Sequence, residues 1–276
     1  MELLDGINFN SLLLFTSMAT GLFAGVIAGL FGVGGGIIIV PALLLLFHFI
    51  DLPPLYIMQM AVGTSLATII ITNLMATFKQ QRRQSINWLA VSYYTPGVLC
   101  GAWLGAQIAV RLDGGFLQTL FGIFLLTISY KMIRSGSDPQ QQSKPIKLQR
   151  LTSTIISMII GAISSLFGIG GGSLSVPALN LLAHIPIRVA VGSSSAIGIF
   201  LAIAGVAGFI QSGSNNPDLP PGTWGYIVPE AFVGIIIGTL ITTPIGVKLA
   251  HTLPPAKLSK SFGIFLLLVG FKLIVD

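Results

Sequence analysis

The sequence predicts an all-α polytopic membrane protein built from two inverted-topology repeats of about five hydrophobic segments each. Three observations carry that prediction. The chain is 53% hydrophobic and only 8% charged, against about 25% charged in a soluble domain, so it lacks the polar surface that water demands. Several apolar runs approach or exceed the ~20 residues that cross a hydrocarbon core, among them 12–31, 56–78, 88–110, 116–133, 189–210 and 262–275. The two halves of the chain also repeat one another in the same order. A membrane β-barrel would alternate apolar and polar residues over about ten-residue segments, and these runs do not.

The repeat is plain in three places. "GLFGVGGGIIIVPALLLLFH" (29–48) answers "SLFGIGGGSLSVPALNLLAH" (165–184). "AVGTSLA" (61–67) answers "AVGSSSA" (190–196), and "FGIFLLTISYKMI" (121–133) answers "FGIFLLLVGFKLI" (262–274). The offsets are 165−29 = 136, 190−61 = 129 and 262−121 = 141, so loops vary while core segments persist. The first repeat is assigned to 1–134 and the second to 150–276. Between them, 135–149 is a Pro/Ser/Gln/Lys linker with no apolar period.

The expected segments of the first half are 11–31, 36–50, 55–78, 87–110 and 115–133. Those of the second are 151–169, 173–185, 189–210, 224–249 and 259–275. The segment after each glycine run is too short to span: 15 residues of helix rise only about 22 Å. Each is therefore expected to be a broken or half helix. Trp88 and Trp224, at segment starts, suit the aromatic belt at the membrane interface.

Lysine and arginine suggest orientation. Loop 79–87 carries Lys79, Arg82 and Arg83, whereas its partner 211–223 has no base and one acid, Asp218. Turn 111–115 holds Arg111 and Asp113, whereas its partner 248–260 holds Lys248, Lys257 and Lys260. Arg188 stands near the place that Asp51 holds in the first half. Basic and non-basic loops swap between halves, the mark of an axis in the membrane plane. The linker, with Lys144, Lys147 and Arg150, is then cytoplasmic. Both termini are outside, Glu2 and Asp5 at one and Asp276 at the other. "MELLDG" has no basic n-region, so a cleaved signal peptide is not expected.

The glycine runs are the candidate site. Gly34, Gly35, Gly36 and their counterparts Gly170, Gly171, Gly172 weaken a helix by about 1 kcal/mol each relative to alanine and permit close backbone approach. Backbone freed at membrane depth must be buried in protein or line a polar cavity. A helix restarting there points N–H groups and a dipole at an anion. Pro41 and Pro177 stand at matching positions beyond the breaks. Close helix packing is the competing role of such glycines. Neither run is a phosphate loop, since no Gly-Lys-Ser/Thr follows, nor a dinucleotide fingerprint, since no strand precedes it.

Hydroxyls are the expected donors. Thr64 and Ser65 answer Ser193 and Ser194, with Ser195 adjacent. Ser173 and Ser175 follow the second glycine run, and Asn73 ranks below them. The competing role for each is a bond to its own helix or to a neighbour. His48 and His184 match in position and suit capping or interfacial anchoring more than a proton relay. Coupling, where present, is expected to run through Glu230, His48 or His184, or the substrate's own proton; Glu230 is a candidate because an acid in a membrane segment is functional by default, though it also suits an interfacial place. The central parts of most segments hold no charged residue, so the anion would be bound by dipoles and hydroxyls.

Other functions fit poorly. The net charge of +6 is spread over short loops, with no stripe to track nucleic acid. With three histidines and one cysteine there is no nucleophile–base pair or metal set within the segments, so an intramembrane enzyme is disfavoured. Cys100 cannot form an internal disulfide. No cofactor and no metal is expected. The expected partners are a small anion and the lipid bilayer, and a homo-oligomer stays open.

The paired "FGVGGGIIIVPAL" and "FGIGGGSLSVPAL", each followed by "AVG[TS]S", resemble the sulfite exporter TauE/SafE family over nearly the whole chain. The resemblance implies a plasma-membrane permease for sulfite, sulfonates such as sulfoacetate, or related sulfur compounds. The mechanism expected from the paired glycine breaks is alternating access, with one repeat rocking against the other around the central anion site. An anion channel or a carrier of a non-sulfur anion is the alternative. The motif positions are Gly34 to Gly36, Pro41, Thr64, Ser65, Gly170 to Gly172, Pro177, Ser193 and Ser194. On this reading, valine at Gly35 or Gly171 should abolish flux more than it lowers expression. Equal losses of flux and expression would instead mark the glycines as packing residues.

Overall fold

The computed structural model describes residues 9–31, 35–50, 52, 54–134, 150–250 and 255–275. Gly34, Asp51, the linker 135–149 and the terminal residues Glu2, Asp5 and Asp276 lie outside them. Among the described residues ten α-helices follow in order: α1 (Phe9–Phe31), α2 (Gly36–Phe49), α3 (Ile57–Arg82), α4 (Trp88–Arg111), α5 (Gly114–Arg134), α6 (Arg150–Leu166), α7 (Gly172–Pro177), α8 (Ile187–Gly213), α9 (Pro229–Ala250) and α10 (Pro255–Val275). A single 3-10 turn precedes α3, and a π-turn, Ala178–Leu182, extends α7. Among the described residues no strand forms beyond one bridge, Trp224 to Ile227.

The molecule is apolar outside and carries its small hydroxyls inside. Phe15, Phe49, Leu151 and Phe271 are each more than three-fifths exposed. Ser65, Thr68, Ser129, Ser157 and Ser193 are wholly buried. That arrangement suits lipid, where side-chain polarity must be satisfied within the bundle. Among the described residues, Ile57–Arg82, Ile187–Gly213 and Pro229–Gly246 are long and apolar enough to cross a membrane.

Most expected segments appear within a few residues of their predicted ends. Two differ. The second half-helix breaks into a six-residue α-turn and a π-turn, with Pro177 ending the α part; proline has no N–H for the ladder. Residues 224–228 are not helical. Gly225 takes φ +58°, Trp224 and Ile227 pair, and the helix waits for Pro229, whose fixed φ suits a first helical position.

The sequence halves are interleaved. α1 packs on α9, α4 on α6 and α5 on α10, and α3 lies against α8. Exchanging the halves, α1 for α6 through α5 for α10, returns the same set of pairs. Directions follow from the matched glycines. Gly21 and Gly25 of α1 meet Ile235 and Thr239 of α9, so these two run parallel. Gly97, Gly101 and Gly105 meet Thr154, Met158 and Ala162, so α4 and α6 do as well. Gly63 meets Phe209 while Gly198 meets Asn73, so α3 and α8 are antiparallel. Gly122 and Gly270 face one another in the antiparallel pair α5 and α10.

Small residues set these distances, because lipid offers no hydrophobic drive between helices and close backbone contact must supply it. A Cβ at Gly234 would lie 2.7 Å from the Leu14 carbonyl oxygen, and one at Gly101 would strike the Met158 carbonyl. Hydroxyls tie the same seams: Thr242 Oγ1 donates to Leu22 O (2.8 Å) and Ser129 Oγ to Gly263 O (2.7 Å). Gly101→Val is therefore expected to cost about 3 kcal/mol or more, read as a lower melting temperature and folded yield in detergent.

Candidate functional site

The two glycine runs meet halfway along the longest helices. A Cβ built on Gly36 would lie 2.5 Å from Gly168 O, 2.8 Å from Ile169 Cα and 3.0 Å from the tip of Ile69. Ile69 is the midpoint of the 26-residue α3. Gly170 also rests on Ile69. From the far side Gly198, near the middle of the 27-residue α8, faces Gly170 O and the Asn73 amide. Thus α2 and α7 both begin beside the centres of α3 and α8 and run outward.

Local chemistry explains the second loop. Gly168 (φ +67°) and Gly171 (φ +71°) occupy the left-handed region, which side chains resist. Ile169 N–H donates to Ser164 O (2.8 Å) and Gly171 N–H to Ile169 O (2.7 Å). Ser65 Oγ, reaching from α3, donates to Gly168 O (2.9 Å). The first loop differs. Gly35 is right-handed (φ −59°) and its carbonyl accepts from Ile38 and Ile39 N–H.

The hydroxyls that the repeat singled out divide by role. Thr64 Oγ1 accepts from Val228 N–H (3.0 Å), at the entry to α9. Its counterpart Ser193 Oγ accepts from Asn87 N–H (2.9 Å), at the entry to α4. Each therefore holds the start of a helix from the opposite half. Ser194 Oγ donates to Val191 O of its own helix. Ser173 Oγ is buried with no partner.

The charged and titratable candidates stand apart from the loops. His48 lies 48−36 = 12 residues along α2 from Gly36, about 18 Å of helix. Its Nδ1 bonds Leu44 O (3.0 Å), and it borders a cavity of about 210 Å³ with Gln118 and Lys272. His184 follows the π-turn with φ +52°, its Nε2 buried and unpartnered. Glu230 sits in the first turn of α9, where a negative charge suits the helix dipole. Trp88, at the start of α4, and Trp224, ahead of α9, are half-exposed or more.

Several polar groups at the site carry no repeat signal. The Oγ atoms of Ser164, Ser165 and Ser175, Thr77 Oγ1 and Asn73 Nδ2 are all buried without a hydrogen-bond partner. Of these, Ser175 and Asn73 are candidates in the sequence, whereas Ser164, Ser165 and Thr77 are not; the signal that could have found them is a hydroxyl in an otherwise apolar run such as "AISSLFG".

Comparison with known proteins now adds to the geometry. The family model described as "Sulfite exporter TauE/SafE" matches residues 17–273. A Haemophilus influenzae protein named "Probable membrane transporter protein" is 36% identical, covering 93% of this chain and 96% of its own. A Bacillus subtilis protein, "Probable membrane transporter protein YunE", is 31% identical over 83% of this chain and 88% of its own. A Methanocaldococcus jannaschii relative, also named a probable membrane transporter, is 28% identical over 90% of each. No solved structure matches.

The paired caps are testable as structure. Thr64→Val leaves the buried Val228 N–H unpaired and should cost about 1–2 kcal/mol, and Ser193→Ala leaves the half-buried Asn87 N–H unpaired and should cost less. Thr64→Ser should restore most of that loss in a thermal unfolding measurement.

Proposed function

Because the chain belongs to the sulfite exporter TauE/SafE family and is a membrane transporter like its relatives, we propose that it carries a small sulfur-containing anion. Sulfite or a sulfonate such as sulfoacetate is the cargo, moved by alternating access around a mid-membrane site. One observation carries the reading. Gly36 of one half touches Gly168 and Ile169 of the other beside Ile69, so two broken segments meet at mid-depth. Discontinuous helices in matching positions of two halves are the best pointer to a transporter's binding site.

The inverted relation of the halves is supported by the exchange-invariant pairing and by the antiparallel course of α3 against α8 and of α5 against α10. Orientation follows from charge. The described helix ends at Lys79, Arg82, Arg83, Arg134, Arg150 and Arg188 fall on one side of the bundle. The other side holds Arg111 and Lys272 together with Asp113, Asp218 and Glu230. The basic side is cytoplasmic by the positive-inside rule, which puts both termini outside at the inner (plasma) membrane. Because α1 packs on α9 and α4 on α6, the moving bodies are pairs built across the halves. A sequence half rocking as one piece would break both seams.

Two measurements test this reading. Thermal stabilisation of the purified protein should be selective for sulfite or a sulfonate over phosphate, formate and chloride, since a ligand that binds only the folded state raises its stability. A response to formate or phosphate alone removes the sulfur assignment. In proteoliposomes, flux of the stabilising anion should saturate; flux linear in concentration indicates a channel. Gly36→Val, which meets backbone, should abolish flux. Gly35→Val, which the sequence alone predicts to abolish flux, meets only the movable tip of Ile39 and should instead retain more.

A further inference from the structure

The duplicated glycine break is not duplicated in its polar groups. In the first half the residues after the break are Ile37, Ile38, Ile39 and Val40, all buried and apolar. In the second half the matching residues at offset 136 begin with Ser173 and Ser175, where the first half has Ile37 and Ile39. Ser164 and Ser165 match Ala28 and Gly29. At offset 129, Asn73 matches Ala202. Every one of these polar side chains has an apolar counterpart, and every one has a buried donor atom with no partner.

These groups gather along one stripe. Gly198, Leu201 and Gly205 lie on one face of α8, spaced three and four residues apart. Asn73 Nδ2 and Gly170 O stand against Gly198. The Gly171 Cβ position is 3.0 Å from Leu201 and 3.4 Å from Ser175 Oγ, and the Gly205 position is 2.8 Å from Ser165 Oγ. Ser165 and Ser175 are wholly buried. A buried, unsatisfied hydroxyl costs free energy, and so a cluster of them in an apolar bundle calls for an acceptor that is present only part of the time.

We infer that the protein has a single anion site per chain, on the second glycine loop, formed by Asn73, Ser165 and Ser175, and that its occupant is a monovalent oxyanion, which among the proposed cargoes favours hydrogensulfite or a monosulfonate over the dianion sulfoacetate. The inference rests on the transporter reading above and adds the site's location and charge selectivity. Residues 57–78, 151–183 and 189–213, which form the stripe, contain no Lys, Arg, His, Asp or Glu. Neutral donors must therefore replace the whole hydration of the ion. The cost of removing an ion from water rises with the square of its charge, so a dianion costs about four times a monoanion. Hydroxyls and one amide can offset the smaller cost and not the larger.

The test titrates the full-length protein calorimetrically with methanesulfonate, a permanent monoanion, and with sulfate, a permanent dianion bearing similar oxygens. Methanesulfonate should bind once per chain, and sulfate about ten-fold or more weaker, a difference of about 1.4 kcal/mol. Ser175→Ala with Asn73→Ala should weaken methanesulfonate about ten-fold, while Ile37→Ala with Ile39→Ala should leave its affinity within about two-fold. The melting temperature without ligand should be unchanged or raised in the Ser175/Asn73 variant, because it loses no hydrogen bond; a structural role would lower it. Two sites per chain, equal sensitivity of both loops, sulfate as tight as methanesulfonate, or no methanesulfonate binding each overturns the inference. Saturable sulfite flux alongside such a result would leave the transporter reading standing. One methanesulfonate per chain without flux of any sulfur anion would keep the site and sink the sulfur cargo.

Discussion

A polypeptide broken at mid-membrane has no water to hydrogen-bond its freed backbone, and the rest of this molecule is arranged around that constraint. At the second glycine loop the solution is visible group by group. Gly168 and Gly171 take left-handed backbone, Ser65 reaches across from α3 to the Gly168 carbonyl, and the loop closes on itself through Ile169 and Gly171. Such a loop must be walled by surfaces that can come very close. Gly36 on one side and Gly198 on the other supply them, and Ile69 fills the space between. The breaks therefore lie at the centres of α3 and α8, and α2 and α7 become half-helices that run from the centre outward.

The same economy governs the periphery. The seams between α1 and α9 and between α4 and α6 are lined by glycines whose Cβ positions fall on the facing backbone, and hydroxyls of one helix donate to carbonyls of the other. These seams join the two sequence halves to each other more closely than either half is joined within itself. Any opening of the central site that keeps these glycine contacts must move cross-half pairs together.

Composition and the doubled motifs made the membrane class, the ten segments and the glycine breaks legible in the sequence, because each depends on local residue type. Partner choice was not legible. A glycine spaced every four residues, as at Gly97, Gly101 and Gly105, says that a helix approaches closely and not which one. The start of α9 was misplaced because Trp224, Tyr226, Ile227 and Val228 are as apolar as a helix, and only Gly225 and Pro229 mark the turn. For the site, matching the halves favoured residues that occur twice. Thr64 and Ser193 do occur twice, and their hydroxyls are occupied in holding the entries to α9 and α4. The polar atoms of Ser165, Ser175 and Asn73, left without partners, occur once; Ser175 and Asn73 are legible as candidates from their place beside the motifs, and Ser165, which repetition does not mark, is not.

That division has a physical reason. Two-fold relatedness is useful where the same shape is needed twice, as in paired helix entries, paired seams and paired half-helices, because related packings exchange with little net change in free energy. A bound anion needs the reverse. Two equivalent polar clusters a few ångströms apart would double the cost of buried, unsatisfied donors when empty and would set two like charges against each other at low dielectric when filled. Apolar Ile37 and Ile39 opposite Ser173 and Ser175 avoid both penalties. On the proposed reading, the repeated scaffold serves motion while its one unrepeated face serves recognition, and the residues that break the repeat become the more informative ones at the centre of the protein.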